Sequence, residues 1–168
     1  MKKLLLVAVA LLMASSASFA QLTAGKMAIT TSIGAPGNAI GGAYAISDNM
    51  RLNAGLNFNS TSQTVNGNSA TQTTFGIGAS LWMYKPATES ISMFYGGGVS
   101  FGSAGAVGNA PSSSTLGITL TAGAEYWFNA HFAWGGNVNI GFTSSGPSGA
   151  TTSVFGTQGV ATSLTWWF

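Results

Sequence analysis

An all-β, eight-stranded antiparallel up-and-down transmembrane β-barrel is the fold this sequence predicts, on three observations. Apolar residues alternate with small or polar ones in eight successive segments, only 5% of the residues are charged, and no stretch beyond the first 20 residues is long and apolar enough for a spanning helix. The end of the chain shows the alternation best. Val160, Thr162, Leu164, Trp166 and Phe168 fall on one face, and Ala161, Ser163, Thr165 and Trp167 on the other, the period-two signature of a strand. About a quarter of the residues in soluble domains are charged, and a water-facing surface normally needs that charge. A closed barrel reconciles low charge with alternation, because it crosses lipid with every backbone group paired and only every second side chain apolar.

The first 20 residues are read as a cleaved signal peptide. Lys2 and Lys3 form the positive start, Leu4 to Met13 is an unbroken apolar run, and Ser18-Phe19-Ala20 places small residues where a signal peptidase inspects. Cleavage is expected between Ala20 and Gln21, leaving residues 21–168 as the barrel. The chain has no Cys, so a lipoprotein anchor, disulfides and thiolate metal sites are excluded. The formal charge of +2 includes Lys2 and Lys3. Without them, Lys26, Arg51 and Lys85 balance Asp48, Glu89 and Glu125, which leaves no basic patch and excludes a nucleic-acid partner.

The elements follow in order. The first strand spans about Lys26 to Gly34, with Met27, Ile29, Thr31 and Ile33 on one face; Ala35 to Asn38 turn the chain. The second spans about Ala39 to Ile46 and ends at the tight polar turn Ser47-Asp48-Asn49. The third, about Arg51 to Ser60, sets Leu52, Ala54, Leu56 and Phe58 against Asn53, Gly55, Asn57 and Asn59. The polar stretch Thr61 to Ala70 is read as a loop, before a fourth strand of about Thr71 to Met83 and a turn at Lys85 to Glu89. A fifth strand, about Ile91 to Phe101, is followed by a small-residue loop from Gly102 to Thr115. The sixth, about Leu116 to Phe128, turns at Asn129-Ala130-His131 into the seventh, about Phe132 to Thr143. Ser144 to Thr152 is read as loose chain before the last strand.

Such strands match the roughly 9–11 residues that cross a bilayer at a tilt, and an even count puts both chain ends on one side. The tight turns are expected in the periplasm and the Ser, Gly and Asn-rich loops outside. Tyr44, Trp82, Tyr84, Tyr126, Trp127, Phe128, Phe132, Trp134, Trp166 and Trp167 collect near the turn ends of strands, where an aromatic interfacial girdle is expected.

The segments Gly123 to Phe132, Tyr44 to Leu52 and Trp166-Trp167-Phe168 resemble the strand–turn–strand and terminal patterns of the small outer-membrane β-barrel family, the OmpA-like and OmpX-like eight-stranded barrels. The resemblance covers the chain after the signal peptide. It implies location in the outer membrane of a Gram-negative-type cell, contact with outer-membrane lipid, and insertion by the outer-membrane assembly machinery. The assembly signal it implies is Leu164, Trp166 and Phe168. The chain departs from the OmpA pattern by ending at the barrel, so no peptidoglycan-binding domain is implied. It also lacks the charged lumen and long outer loops usual in the family.

Inward positions are mostly Gly, Ala, Ser, Thr and Asn, with Gly76, Gly78, Gly96, Gly98, Gly117, Gly123, Gly135 and Gly141 among them by parity. Two interiors fit this: a narrow water-filled cavity, or a barrel flattened on its glycine-rich walls. Lys26, Arg51 and Glu125 also point inward near the turn ends. Strands three and six face each other across an eight-stranded cylinder, so an Arg51–Glu125 pair that closes the mouth is expected, with Lys26 nearby. The reading is a structural or surface-interacting barrel, expected to be a monomer, with restricted passage of small solutes as the alternative. Catalysis is not expected, because His131 is the only His and sits in a tight turn without a base–nucleophile arrangement. No metal or cofactor is implied by one His and scattered carboxylates. A soluble lipid-carrying barrel would carry its apolar residues inside, and an amyloid-like secreted subunit would suit the Asn and Gln content.

Overall fold

The computed structural model describes residues 22–34, 39–65, 68–106, 111–147 and 150–168. The expected signal peptide and its cleavage point at Ala20–Gln21 lie outside them. Eight strands follow one another: β1 (Met27–Gly34), β2 (Ala39–Ser47), β3 (Met50–Val65), β4 (Asn68–Pro86), β5 (Ile91–Ala104), β6 (Ser113–Asn129), β7 (Phe132–Gly146) and β8 (Thr152–Trp167). Each pairs antiparallel with its sequence neighbours, and β1 pairs with β8, which closes the barrel. Closure reaches the last residue, since Phe168 N–H donates to the Met27 carbonyl at 2.9 Å.

Alternation settles which wall faces where. Ile29, Leu56, Ile77, Ile118, Ile140 and Leu164 point out and are exposed, whereas their neighbours Ala28, Asn53, Thr121, Ser163 and Thr165 are buried inside. This is the reverse of a soluble lipid-carrying barrel. Each tight turn is fixed locally. Asn129 Oδ1 accepts from the His131 and Phe132 N–H groups at 2.8 and 2.9 Å, and Thr88 Oγ1 accepts from Ile91 N–H at 3.0 Å. One irregularity lies in β8, where pairing steps from Asn139↔Gly159 to Ile140↔Thr157 and leaves Gln158 as a bulge residue. Gly159 takes φ 129°, a region L side chains avoid. Gln158 then bridges the inner wall, donating to Thr143 Oγ1 at 2.7 Å and accepting from Thr119 Oγ1 at 3.1 Å.

Three expectations are corrected. Thr61–Val65 and Asn68–Ala70, read as part of a loop, are strand: β3 and β4 run on to the pair Val65↔Asn68. Their uniformly polar sequence hid the strands, because main-chain pairing needs no apolar alternation. The ends of β5, β6, β7 and β8 likewise consume residues read as the loops Gly102–Thr115 and Ser144–Thr152. The pairing of β2 with β3 stops at Ile40↔Leu56 and that of β5 with β4 at Thr74↔Ala104, so Thr61–Val65 and Asn68–Gln72 project as a two-stranded ribbon, about 17 Å long at roughly 3.3 Å per residue. Finally, the barrel is not flattened: among the described residues, extensive strand-to-strand contact runs only between ladder neighbours.

Inward glycines serve a different purpose from leaving space. Phe94 pairs with Gly123, and a Cβ on Gly123 would lie 2.6 Å from Phe94 Cζ and 2.3 Å from the Gly136 carbonyl. Gly135, opposite Glu125, is crowded in the same way by Glu125 Cγ at 2.7 Å. We therefore expect Gly123→Ala to lower the unfolding free energy by about 1–3 kcal/mol, the cost of overpacking. The control Gly55→Ala, whose Cβ would meet only the Ile40 carbonyl at an ordinary 3.6 Å, should stay near wild type in urea titrations from vesicles.

Candidate functional site

The turn end of the barrel interior holds the only ion pair among the described residues. Arg51 on β3 and Glu125 on β6 face each other across the lumen, with Arg51 Nη1 donating to Glu125 Oε1 at 2.8 Å and both side chains almost wholly buried. Arg51 Nε donates to Asn53 Oδ1, two residues along the same strand. The guanidinium carbon sits 4.7 Å from the Trp82 ring centre, 5.5 Å from that of Trp167 and 5.7 Å from that of Tyr84. A desolvated cation over aromatic faces is stabilised by about 2 kcal/mol or more.

These rings continue into a plug. Trp82 stacks on Phe94 at 4.4 Å, Phe94 meets Tyr84 at 5.4 Å, and Trp127 stacks on Trp167 at 6.0 Å. Trp127 and Trp167 are each 1% exposed. Small neighbours make the room: Ala28, Ala43, Ala45 and Ala133 are buried in the same cluster. Leu22 joins it from the chain before β1, held beneath the barrel by Ala24 N–H donating to Asp48 Oδ1 at 2.9 Å and Gly25 N–H to the Ala45 carbonyl at 2.8 Å. Beyond the plug the lumen is lined by amides and hydroxyls, as in Thr121 Oγ1 donating to Asn139 Oδ1 at 2.8 Å and Asn137 Nδ2 to the same oxygen at 3.0 Å.

The girdle expectation is thus corrected for Trp82, Tyr84, Trp127 and Trp167. They lie at the right height but on inward parity, and they fill the barrel. Tyr44, Tyr126, Trp134 and Trp166 do face outward, with Phe128 and Phe132 linking Tyr126 to Trp166 through ring contacts of 5.0, 5.3 and 6.0 Å. Of the three inward charges expected, Arg51 and Glu125 meet. Lys26 is half-buried just before β1, outside the ion pair among the described residues. Leu164, Trp166 and Phe168 face outward on the closing strand. His131 Nδ1 lies 2.9 Å from the Trp167 carbonyl, a contact that ties the β6–β7 turn to β8. Sequence reading missed Leu22 and Phe94. For Phe94 the signal was available, since it alternates with the outward Met93 and Tyr95.

A closed up-and-down barrel with an apolar exterior, a polar lumen and an aromatic plug around a buried ion pair defines a small transmembrane β-barrel. No family model matches the chain, and no curated protein sequence gives a significant match. Among solved structures, the chain is similar to Ail, the attachment invasion locus protein of Yersinia pestis, at 11% identity and a TM-score of 0.44 over 86% of this chain and 99% of that one. A second structure of Ail, in complex with the heparin analogue sucrose octasulfate, gives 12% identity and a TM-score of 0.43 over the same 86% and 99%.

The ion pair is only partly satisfied. Glu125 Oε2, the Tyr84 hydroxyl and the indole N–H groups of Trp82, Trp127 and Trp167 have no hydrogen-bond partner of good geometry among the described residues. Removing one member of a buried pair costs about 3–5 kcal/mol, whereas an apolar replacement of both is often neutral. Glu125→Leu alone should therefore lower the urea midpoint strongly, and Arg51→Met with Glu125→Leu should recover most of the loss.

Proposed function

We propose that this protein is a sealed outer-membrane barrel that acts as a scaffold for surface interaction and does not act as a pore. The plug carries this reading: five aromatic side chains and an ion pair occupy the turn end of the lumen, where a solute would have to pass. Eight strands enclose an interior about wide enough for side chains, and here those side chains are large. The apolar wall and the closed ladder support a membrane location, and the resemblance in the turn and terminal segments supports the outer membrane. Its partners in this reading are outer-membrane lipid and the assembly machinery, which takes up the strand bearing Leu164, Trp166 and Phe168. The barrel acts as a monomer. The ribbon of β3 and β4 stands clear of the neighbouring strands and is the part best placed to meet another surface. In this reading His131 has a structural part, its Nδ1 lying 2.9 Å from the Trp167 carbonyl at the turn.

Planar-bilayer recording tests the reading. The wild-type protein should give no resolved conductance steps, whereas Trp127→Ala with Trp167→Ala should open small, steady ones. Resolved ohmic steps from the wild type itself would replace the scaffold with a channel. Cell fractionation supplies the second check: the protein should sediment with the outer membrane and shift on gels when boiled.

A further inference from the structure

The loop end carries no charge. All charged residues after the expected signal peptide, namely Lys26, Asp48, Arg51, Lys85, Glu89 and Glu125, lie at or near the turn end, and residues 52–84, 90–124 and 126–168 contain none. The outward wall of β5 and β6 changes from apolar to hydroxyl-bearing between two successive outward rows there, beside a β7 that is already polar. One row reads Ile77, Phe101, Leu116, Ser144, and the next towards the loops reads Phe75, Ser103, Ser114, Gly146. Over this boundary lies an open groove of about 580 Å³, with Phe101 and Leu116 among its apolar lining and Ser103, Ser114 and Ser144 among its hydroxyls. Its volume falls in the roughly 300–1,000 Å³ range of small-molecule sites. Phe101 and Leu116 are lipid-facing, 49% and 56% exposed.

An occupant must therefore be an amphiphile, apolar towards the turn end and hydrogen-bonding towards the loops. An uncharged headgroup suits the groove better than a phosphate or sulfate, which would find no Lys or Arg there. Sugar hydroxyls both donate and accept, as do the serine hydroxyls that face them. We propose that this groove holds the uncharged sugar headgroup of a membrane glycolipid, whose acyl chains lie along Phe101 and Leu116. The inference rests on the membrane-spanning reading above.

The test is photolabelling in vesicles. The protein is refolded into phosphatidylcholine vesicles containing a small fraction of a photoactivatable galactosyl diacylglycerol, and the labelled peptides are mapped by mass spectrometry. Label should concentrate on the segments around Phe101–Ser103 and Ser114–Leu116. Digalactosyl diacylglycerol should displace it and phosphatidylglycerol should not. The variant Ser103→Ala, Ser114→Ala, Ser144→Ala should fold normally and label at least about tenfold less, as the loss of several hydrogen bonds implies. Label spread evenly around the wall, displacement by phosphatidylglycerol, or unchanged labelling of the variant would each overturn the proposal. So would equal displacement by free galactose, which would make the groove a site for soluble sugar. Gel mobility before boiling, read in pure phosphatidylcholine, reports insertion independently: without a folded band there, the membrane reading itself fails and takes the groove with it.

Discussion

The pairing of β1 with β8 is the constraint on which everything else depends. In an apolar surround each unpaired N–H or C=O costs several kcal/mol, so a sheet with free edges has no stable place there. Once Ala28 pairs with Trp167 and Met27 with Phe168, no edge remains along the apolar belt. Closure then fixes parity around the ring. A side chain points either to lipid or into the lumen, and a shift by one residue would exchange the two sets. The filled interior and the apolar exterior are two readings of that one ladder.

Within the ring, volume is shared between neighbours. Phe94 lies over Gly123, Glu125 over Gly135, and Asn57 over Gly76. Each large inward residue sits beside a position where even a methyl group would collide. The interior is therefore not loosely filled by small residues; large and small ones interlock, as in a packed core. This lets an eight-stranded wall contain two stacked aromatic pairs, Trp82 with Phe94 and Trp127 with Trp167, beside a buried guanidinium.

Much of this could be read from the residues, with informative exceptions. Period-two alternation located all eight strands, and the turns at Asp48-Asn49 and Ala130-His131 followed from local side-chain chemistry. Inward parity at the turn ends brings Arg51 and Glu125 into one lumen, although β7, and not β6, is the strand diametrically opposite β3 in a ring of eight. The plug was legible in part. Trp167 falls on the inward face of its own strand, yet the four inward aromatics were grouped with the girdle by height, when parity separates them. The ribbon was illegible because a run of Ser, Thr, Asn and Gln carries no hydropathy contrast between alternate positions. Leu22 belongs to no strand, so no periodicity marks it. The bulge at Gln158 depends on a register step, which only the ladder reveals.

The β3–β4 ribbon has one consequence for the history of the chain. Its rungs beyond Ser60↔Thr73 have no neighbour in β2 or β5, and the hydroxyl pair Ser62–Thr71 at 2.7 Å belongs to the ribbon alone. Residues can be gained or lost there in matched pairs, one from each arm, without disturbing any rung of the ring below. Its reach above the bilayer is a length that selection can adjust separately from the barrel that anchors it.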